Sequence, residues 1–299
     1  MWKIFYHKSD LDGKCCGAIA RRYCEENNIK YKFCPIEYGD VFPYEKLNKN
    51  DTIIMMDYAP QPYSKIFKIH NIVKNLIWID HHTEAIKEYN KISKQKNIQI
   101  KGRLNEDIKW AACTLAWEYF FPNIKIPLTV KLIGAYDTWQ HVHKTLDDKK
   151  FPYNLILPFQ YGLKNKKNEP TSSIWDPIFD DGYYIIIIIK SEGENILKYI
   201  NQANKYLVEE FAYEIKWEGL LWLCINNATK GSSQFESKFN RTRHDATMVY
   251  QRIPNKKWKV HLYTDKQNIK SLGKIAKKYG GGGHKQAAGF MCNELPFNY

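Results

Sequence analysis

Apolar positions along the chain gather into short runs, and several of these runs stop at an acid. Residues 2–6 (Trp-Lys-Ile-Phe-Tyr) read as a first strand, 30–36 as a second, 51–56 as a third and 76–79 (Leu-Ile-Trp-Ile) as a fourth. Their length and their content of β-branched and aromatic residues are strand-like. Between them, 13–26 and 63–74 carry helical patterns, as do 110–121 and 127–136 further on. Strands alternating with helices predict a parallel sheet in an α/β fold.

The character then changes. Residues 146–180 contain Pro152, Pro158, Pro170 and Pro177 with mixed charges, the pattern of an insertion or an interdomain connection. A helix is expected over 193–215, then strands over 219–225, 246–251 and 258–263, then a last helix over 269–279 that runs into Gly280-Gly281-Gly282-Gly283-His284. The expected organisation is a parallel-sheet domain over 1–150, an insertion and linker helix over 151–215, and a smaller α/β domain over 216–299.

The polar residues that end these runs are the candidate chemistry. His7, Asp10 and Asp12 follow the first strand, Asp57 the third, and Asp80, His81 and His82 the fourth, while Asp137 closes the helix over 127–136. In open α/β sheets, ligands bind beyond the carboxyl ends of the strands. Any one of these acids reads equally well as a helix cap, and any of the three histidines as a satisfied core residue; the convergence of eight points to a site. Carboxylates and imidazoles without thiolate suit Mn²⁺ or Mg²⁺ better than structural zinc. Six or more such groups exceed the needs of one ion. Two ions about 3.5–4 Å apart, sharing a carboxylate, form the arrangement suited to in-line attack on phosphorus, with water as the nucleophile. The four glycines read either as a flexible loop or as an anion-binding nest, and His284 with Ala287-Ala288-Gly289 beside them favours room for a phosphate or a base.

Charge adds one element to this picture. With 45 Lys+Arg against 32 Asp+Glu, the formal net charge is +13, which favours polyanionic partners. The lysines lie in scattered clusters such as Lys94-Gln95-Lys96 and Lys164-Asn165-Lys166-Lys167, which fit solvated loops equally well. Seven cysteines without a CxxC pair argue against a disulfide framework or a zinc ribbon. The N-terminus has no signal-peptide pattern, and the longest apolar run, 183–189, is far short of the roughly 20 residues that span a bilayer. A cytoplasmic protein is expected.

As a set and in this order, His7-Lys8-Ser9-Asp10-Leu11-Asp12-Gly13, Asp57, Asp80-His81-His82, Asp137 and the stretch from Gly280 to Phe290 resemble the motifs of the DHH–DHHA1 phosphoesterase superfamily. Among its members the chain is most similar to the short oligoribonucleases (nanoRNases) and nucleotide-signal phosphodiesterases. The resemblance implies two manganese ions, with Mg²⁺ or Co²⁺ as alternatives. His7, Asp10 and Asp57 would hold one, and Asp12, Asp57, His81 and Asp137 the other. His82 would face the scissile phosphate, and Asp80 would orient the histidine pair. Gly280, Gly281, Gly282, Gly283 and His284 would bind substrate. Many members carry a Ser-x-Arg-Ser phosphate clamp where this chain has His261-Leu262-Tyr263-Thr264-Asp265-Lys266, so Lys266, Arg241 and Arg243 become the candidate phosphate contacts.

The implied activity is hydrolysis of short RNA or a small nucleotide messenger to mononucleotides. The alternative is a dedicated hydrolase of a signalling nucleotide: a linear or cyclic dinucleotide, or an adenylate adduct of the kind used in bacterial defence signalling. Neither a membrane nor a stable complex with long DNA is expected, and a homodimer is left open. A non-catalytic nucleotide-binding module is the reading from a different class.

Overall fold

A computed structural model describes the whole 299-residue chain except Ile108, Asp147, Asp148, 228–230, Asn255, Gln267, His284, Tyr299 and the side chain of His143. The chain divides into two units, Met1–Leu197 and Lys198–Tyr299.

In the first unit, strands β1 (Trp2–His7), β2 (Tyr31–Ile36), β3 (Thr52–Met56), β4 (Asn75–Asp80) and β5 (Lys101–Leu104) form an all-parallel sheet in the order β2-β1-β3-β4-β5. Period-two alternation gives the sheet two apolar faces. Ile4, Ile54, Met56, Ile77 and Ile79 enter one core, while Phe5, Ile53, Met55, Leu76 and Trp78 enter the other. A parallel sheet buried on both faces needs helices on both. The first face is covered by α1 (Leu11–Glu26), α4 (Ala112–Phe120) and α5 (Leu128–Asp137), and the second by α2 (Lys65–Ile72) and α3 (Thr83–Lys96). The one-turn helix α6 (Gln140–His143) follows α5.

The proline-rich stretch expected to be an insertion or connection is helical and packed. Helices α7 (Tyr153–Lys164) and α8 (Trp175–Phe179) place Ile156, Phe159, Leu163, Trp175 and Ile178 in the first core. Pro152 stands at the N-cap of α7, where a missing N–H costs nothing. Pro158 sits inside that helix. Helix α9 (Tyr183–Phe211) begins about ten residues before the expected start at 193, and Ile186 and Ile189 are buried in the same core.

The second unit holds a mixed sheet of β6 (Tyr213–Trp217), β7 (Leu220–Asn226), β8 (Ala246–Arg252), β9 (Trp258–Tyr263), β10 (Gly282–Gly283) and β11 (Ala287–Cys292), ordered β10-β11-β9-β8-β7-β6. Helix α10 (Leu272–Lys278) buries Leu272, Ile275 and Ala276 against one face. Strand β6 alternates in burial, with Ile215 and Trp217 inward and Glu214 and Lys216 outward. Its first residues fall within the span expected to be helix.

Most of the glycine run is required by this packing. After α10, Gly280 takes φ 76° and Gly281 donates its N–H to the carbonyl of Ala276, the left-handed ending that favours glycine after a helix. A Cβ on Gly281 would lie 2.1 Å from the carbonyl oxygen of Gly289, and one on Gly283 would lie 2.5 Å from Cα of Ala288. Only Gly282 of the four combines open space with a backbone outside the left-handed region. Gly281→Ala and Gly283→Ala are therefore expected to destabilise the second unit by about 1–3 kcal/mol through overpacking. Gly282→Ala should stay within about 0.5 kcal/mol. Denaturant unfolding of the three variants checks this, and equal effects at all three positions would contradict it.

Candidate metal centre

The strand order 2-1-3-4-5 has its switch point between β1 and β3, where doubly wound sheets place their ligands. The register pairs Tyr6 with Met56 and Met56 with Ile79, so the next residues, His7, Asp57 and Asp80, emerge side by side at the carboxyl end of the sheet. Asp57 takes φ 54° there, a left-handed conformation uncommon outside glycine and of a kind that concentrates at functional sites. Gly13 allows α1 to start close by, since a Cβ at this position would lie 2.1 Å from the carbonyl oxygen of His7.

Each oxygen of the buried Asp57 carboxylate faces a different histidine. Oδ2 lies 3.6 Å from Nδ1 of His7, and Oδ1 lies 3.5 Å from Nε2 of His81. The His81 nitrogen also lies 3.8 Å from Oδ2 of Asp12 and 3.3 Å from Oδ2 of Asp137. These four separations exceed the usual N–H···O range of 2.7–3.2 Å. Donor atoms about 2.1 Å from one ion sit roughly 3.0–3.5 Å from one another, so the spacing resembles the edges of a coordination polyhedron. Three trios of donors lie within 4.8 Å of one another: His7, Asp10 and Asp57; Asp12, His81 and Asp137; and Asp57, His81 and His82. The residues fit a divalent cation in chemistry and in spacing.

Two of the acids also serve the fold. Asp10 is the N-cap of α1, its Oδ1 accepting from the N–H of Gly13 at 2.9 Å, while its Oδ2 accepts from Nδ1 of His7 at 2.8 Å. Asp12 accepts the N–H groups of Ala112 and Cys113 at 2.9 and 2.8 Å, tying the first turn of α1 to the start of α4. Asp80 is wholly buried and saturated. Its Oδ1 accepts from the backbone N–H of His81 and of His82 and from Nδ1 of His82 at 2.7 Å, and its Oδ2 accepts from the indole of Trp78. Asp80 thus fixes the ring of His82 directly, and that of His81 only through its backbone.

Electrostatics follow from this crowding. Burial, then the charge of Asp57, pushes Asp12 up to about 7. Burial, then the charge of Asp12, does the same to Asp137. Burial alone would lower the imidazoles, but the surrounding carboxylates outweigh it and raise His7 to about 11, His81 to about 10 and His82 to about 9. Asp80, despite its burial, is held below the usual carboxylate range by His82. Perturbation of this size in one cluster is characteristic of functional sites.

Two residues of the cluster, Glu37 and Tyr38, are not among those the sequence singles out. Glu37 follows β2, and its Oε1 accepts from Nε2 of His7 at 2.7 Å. Tyr38 packs edge-on against both His7 and His82, with ring centroids 5.3 and 5.6 Å apart. An acid directly after a strand is the signal that marks the other sites, and the same signal applies to Glu37.

The residues expected to bind substrate lie in the second unit, and the three cations there are already paired. Nε of Arg241 donates to Asp265 at 2.6 Å, Arg243 makes a two-pronged pair with Glu214, and Nζ of Lys266 lies 3.3 Å from Asp245. Gly280–Gly283 form the turn and short strand described above, and His284 lies outside the described residues.

No family model matches the sequence. An uncharacterized protein of Acanthamoeba polyphaga mimivirus is 24% identical over 276 residues, 85% of this chain, and the chain spans only 56% of that relative's length. Solved structures are similar in fold at low identity. A pGpG-specific phosphodiesterase of Vibrio cholerae is 15% identical with a TM-score of 0.51, covering 97% of this chain and 93% of its own. The DHH domain of a protein assigned to a family of ribosomal proteins is 13% identical with a TM-score of 0.58, covering 96% and 82%. RecJ from Thermus thermophilus, in complex with Mn²⁺, is 12% identical with a TM-score of 0.52, covering 97% of this chain and 49% of its own. Their likeness to this chain is one of fold: each shares the α/β architecture of the two units described here.

Proposed function

We propose that the protein is a two-metal phosphodiesterase that hydrolyses short oligoribonucleotides or a small nucleotide messenger to mononucleotides. The observation that carries this reading is the Asp57 carboxylate, which turns one oxygen toward His7 and the other toward His81. On this reading His7, Asp10 and Asp57 hold one ion, and Asp12, Asp57, His81 and Asp137 the other. Two bound divalent ions supply positive charge for the phosphoryl oxygens and a water acidic enough to attack near neutral pH.

The chain's own residues do the rest. Asp57 fixes the separation of the two ligand groups, and its buried carboxylate cannot swing away. His82, partly exposed and clamped by Asp80, presents its other ring nitrogen as a preorganised donor for charge developing on the phosphate. Mn²⁺ is proposed as the working ion, with Mg²⁺ or Co²⁺ as substitutes; the donor set and the fold likeness to a Mn²⁺-bound RecJ support it. The second unit is proposed to hold nucleotide. Its Arg241, Arg243 and Lys266 would exchange solvent-accessible carboxylate partners for phosphate, since ion pairs in contact with water hold only weakly. A dedicated hydrolase of a signalling dinucleotide is the second reading, supported by the fold likeness to a pGpG-specific phosphodiesterase.

Purified protein should release nitrophenol from bis(nitrophenyl) phosphate only when Mn²⁺ or one of its substitutes is present, and a panel of linear dinucleotides, cyclic dinucleotides and adenylate adducts should identify the substrate. Asp57→Ala is expected to abolish turnover, while His7→Ala, which removes a ligand of one ion, should be milder. Wild-type turnover by the Asp57 variant at saturating Mn²⁺ would refute the bridge.

His82→Ala is expected to keep both ions and lose about a hundredfold or more in rate, the effect of removing one preorganised donor. Elemental analysis beside kinetics separates the roles: loss of one ion per chain would make His82 a ligand instead.

A further inference from the structure

Lys164, the last residue of α7, comes from the proline-rich stretch whose sequence suggests a connection. Its Nζ sits over the ring of Tyr136, 5.0 Å from the centroid. Tyr136 directly precedes Asp137, and its ring stacks on His141 at 5.3 Å with an interplanar angle of 14°. Partial burial lowers the pKa of the ammonium, and the one carboxylate that pulls it the other way is Asp10. Lys164 therefore rests on the residue next to Asp137, and Asp10 is the acid whose charge reaches it.

Three other lysines of these segments are neutralised. Lys8 and Lys14, which flank Asp10 and Asp12 in sequence, pair with Asp40 at 3.0 Å and with Glu169 at 2.9 Å, and Lys166 pairs with Glu192. Among the described residues, Nζ of Lys164 has no carboxylate at ion-pair distance and rests only on the ring face. A surface lysine ordinarily keeps a fully hydrated head, so a head set against an aromatic ring beside an acidic cluster is the exception.

Charge balance gives this cation a task. The carboxylates of Asp10, Asp12, Asp57 and Asp137 carry charge that two divalent ions would cancel without surplus, while every substrate of a phosphodiesterase brings more negative charge. We propose that Lys164 is a substrate-binding residue whose ammonium, set on Tyr136 at the rim of the acidic cluster, takes a phosphate oxygen of the nucleotide. The inference rests on the two-metal reading for the identity of the ligand, and on the placement of Lys164 for the contact. The bland role for the same residue is to pin α7 to α5 through the ring of Tyr136.

Calorimetric titration of the Mn²⁺-loaded protein with guanosine 5′-monophosphate and with guanosine tests the contact without requiring turnover. Lys164→Gln should weaken the monophosphate by about tenfold or more, the scale of one charge-assisted hydrogen bond. Guanosine binding, Mn²⁺ stoichiometry and the unfolding midpoint should not change, and Lys164→Arg should stay within a few-fold of wild type. An unchanged affinity for the monophosphate in Lys164→Gln, absence of monophosphate binding by the wild type, or equal losses for both ligands would overturn the proposal, the last by making Lys164 a packing residue. The two readings fail separately. Lys164-dependent binding in a protein that cleaves no phosphodiester would leave the anchor standing and remove the hydrolase, whereas turnover with unchanged KM in Lys164→Gln would remove only the anchor.

Discussion

The arrangement depends on one buried carboxylate held in an unfavourable backbone conformation. Asp57 leaves β3 at the switch point of the parallel sheet with φ 54°, and its N–H is fixed by the carbonyl of Ile79 on the neighbouring strand. This turns its side chain between the ends of β1 and β4. Burying such a group beside Asp12 and Asp137 is costly unless positive charge accompanies it. The imidazoles of His7 and His81 supply part of that charge, since the surrounding carboxylates raise their pKa values.

Much of the surrounding structure holds that geometry in place. Asp80 uses all its accepting capacity on His81, His82 and Trp78, so the tight turn after β4 is set by a single side chain. Glu37 and Tyr38 do the same from the other side, one through the far nitrogen of His7 and the other by packing between His7 and His82. Hydrogen-bonded partners of this kind orient metal-binding histidines and set which ring nitrogen faces the ion.

The site is legible in the sequence because its residues sit at strand and helix ends, where a change from apolar to acidic is visible without any structure. The apolar runs from Ile53 to Met56 and from Leu76 to Ile79 carry the parallel sheet for the same reason. What escapes a sequence reading has no local signal. Strand β5 is Lys-Gly-Arg-Leu, an exposed edge too short and too polar to show a period. The prolines at 152, 158 and 177 suggest a connection, but buried Ile156, Phe159, Trp175 and Ile178 hold that segment as helix against the core, a tertiary effect that overrides propensity. Lys164 looks like one of a cluster of solvated lysines, and only the fold sets it on the ring of Tyr136. The glycines carry a structural reason that the sequence does not display, since the turn after α10 and the approach of β11 account for glycine at 280, 281 and 283.

The central claim is that one carboxylate bridges two ions. Electron paramagnetic resonance of the wild-type protein during Mn²⁺ titration tests it most directly, because ions about 3.5–4 Å apart and sharing a carboxylate are magnetically coupled. The hyperfine pattern of isolated Mn²⁺ is expected to give way to a coupled spectrum as the second equivalent binds. A second equivalent that only adds to the signal of isolated ions, or a chain that saturates at one ion, would contradict it.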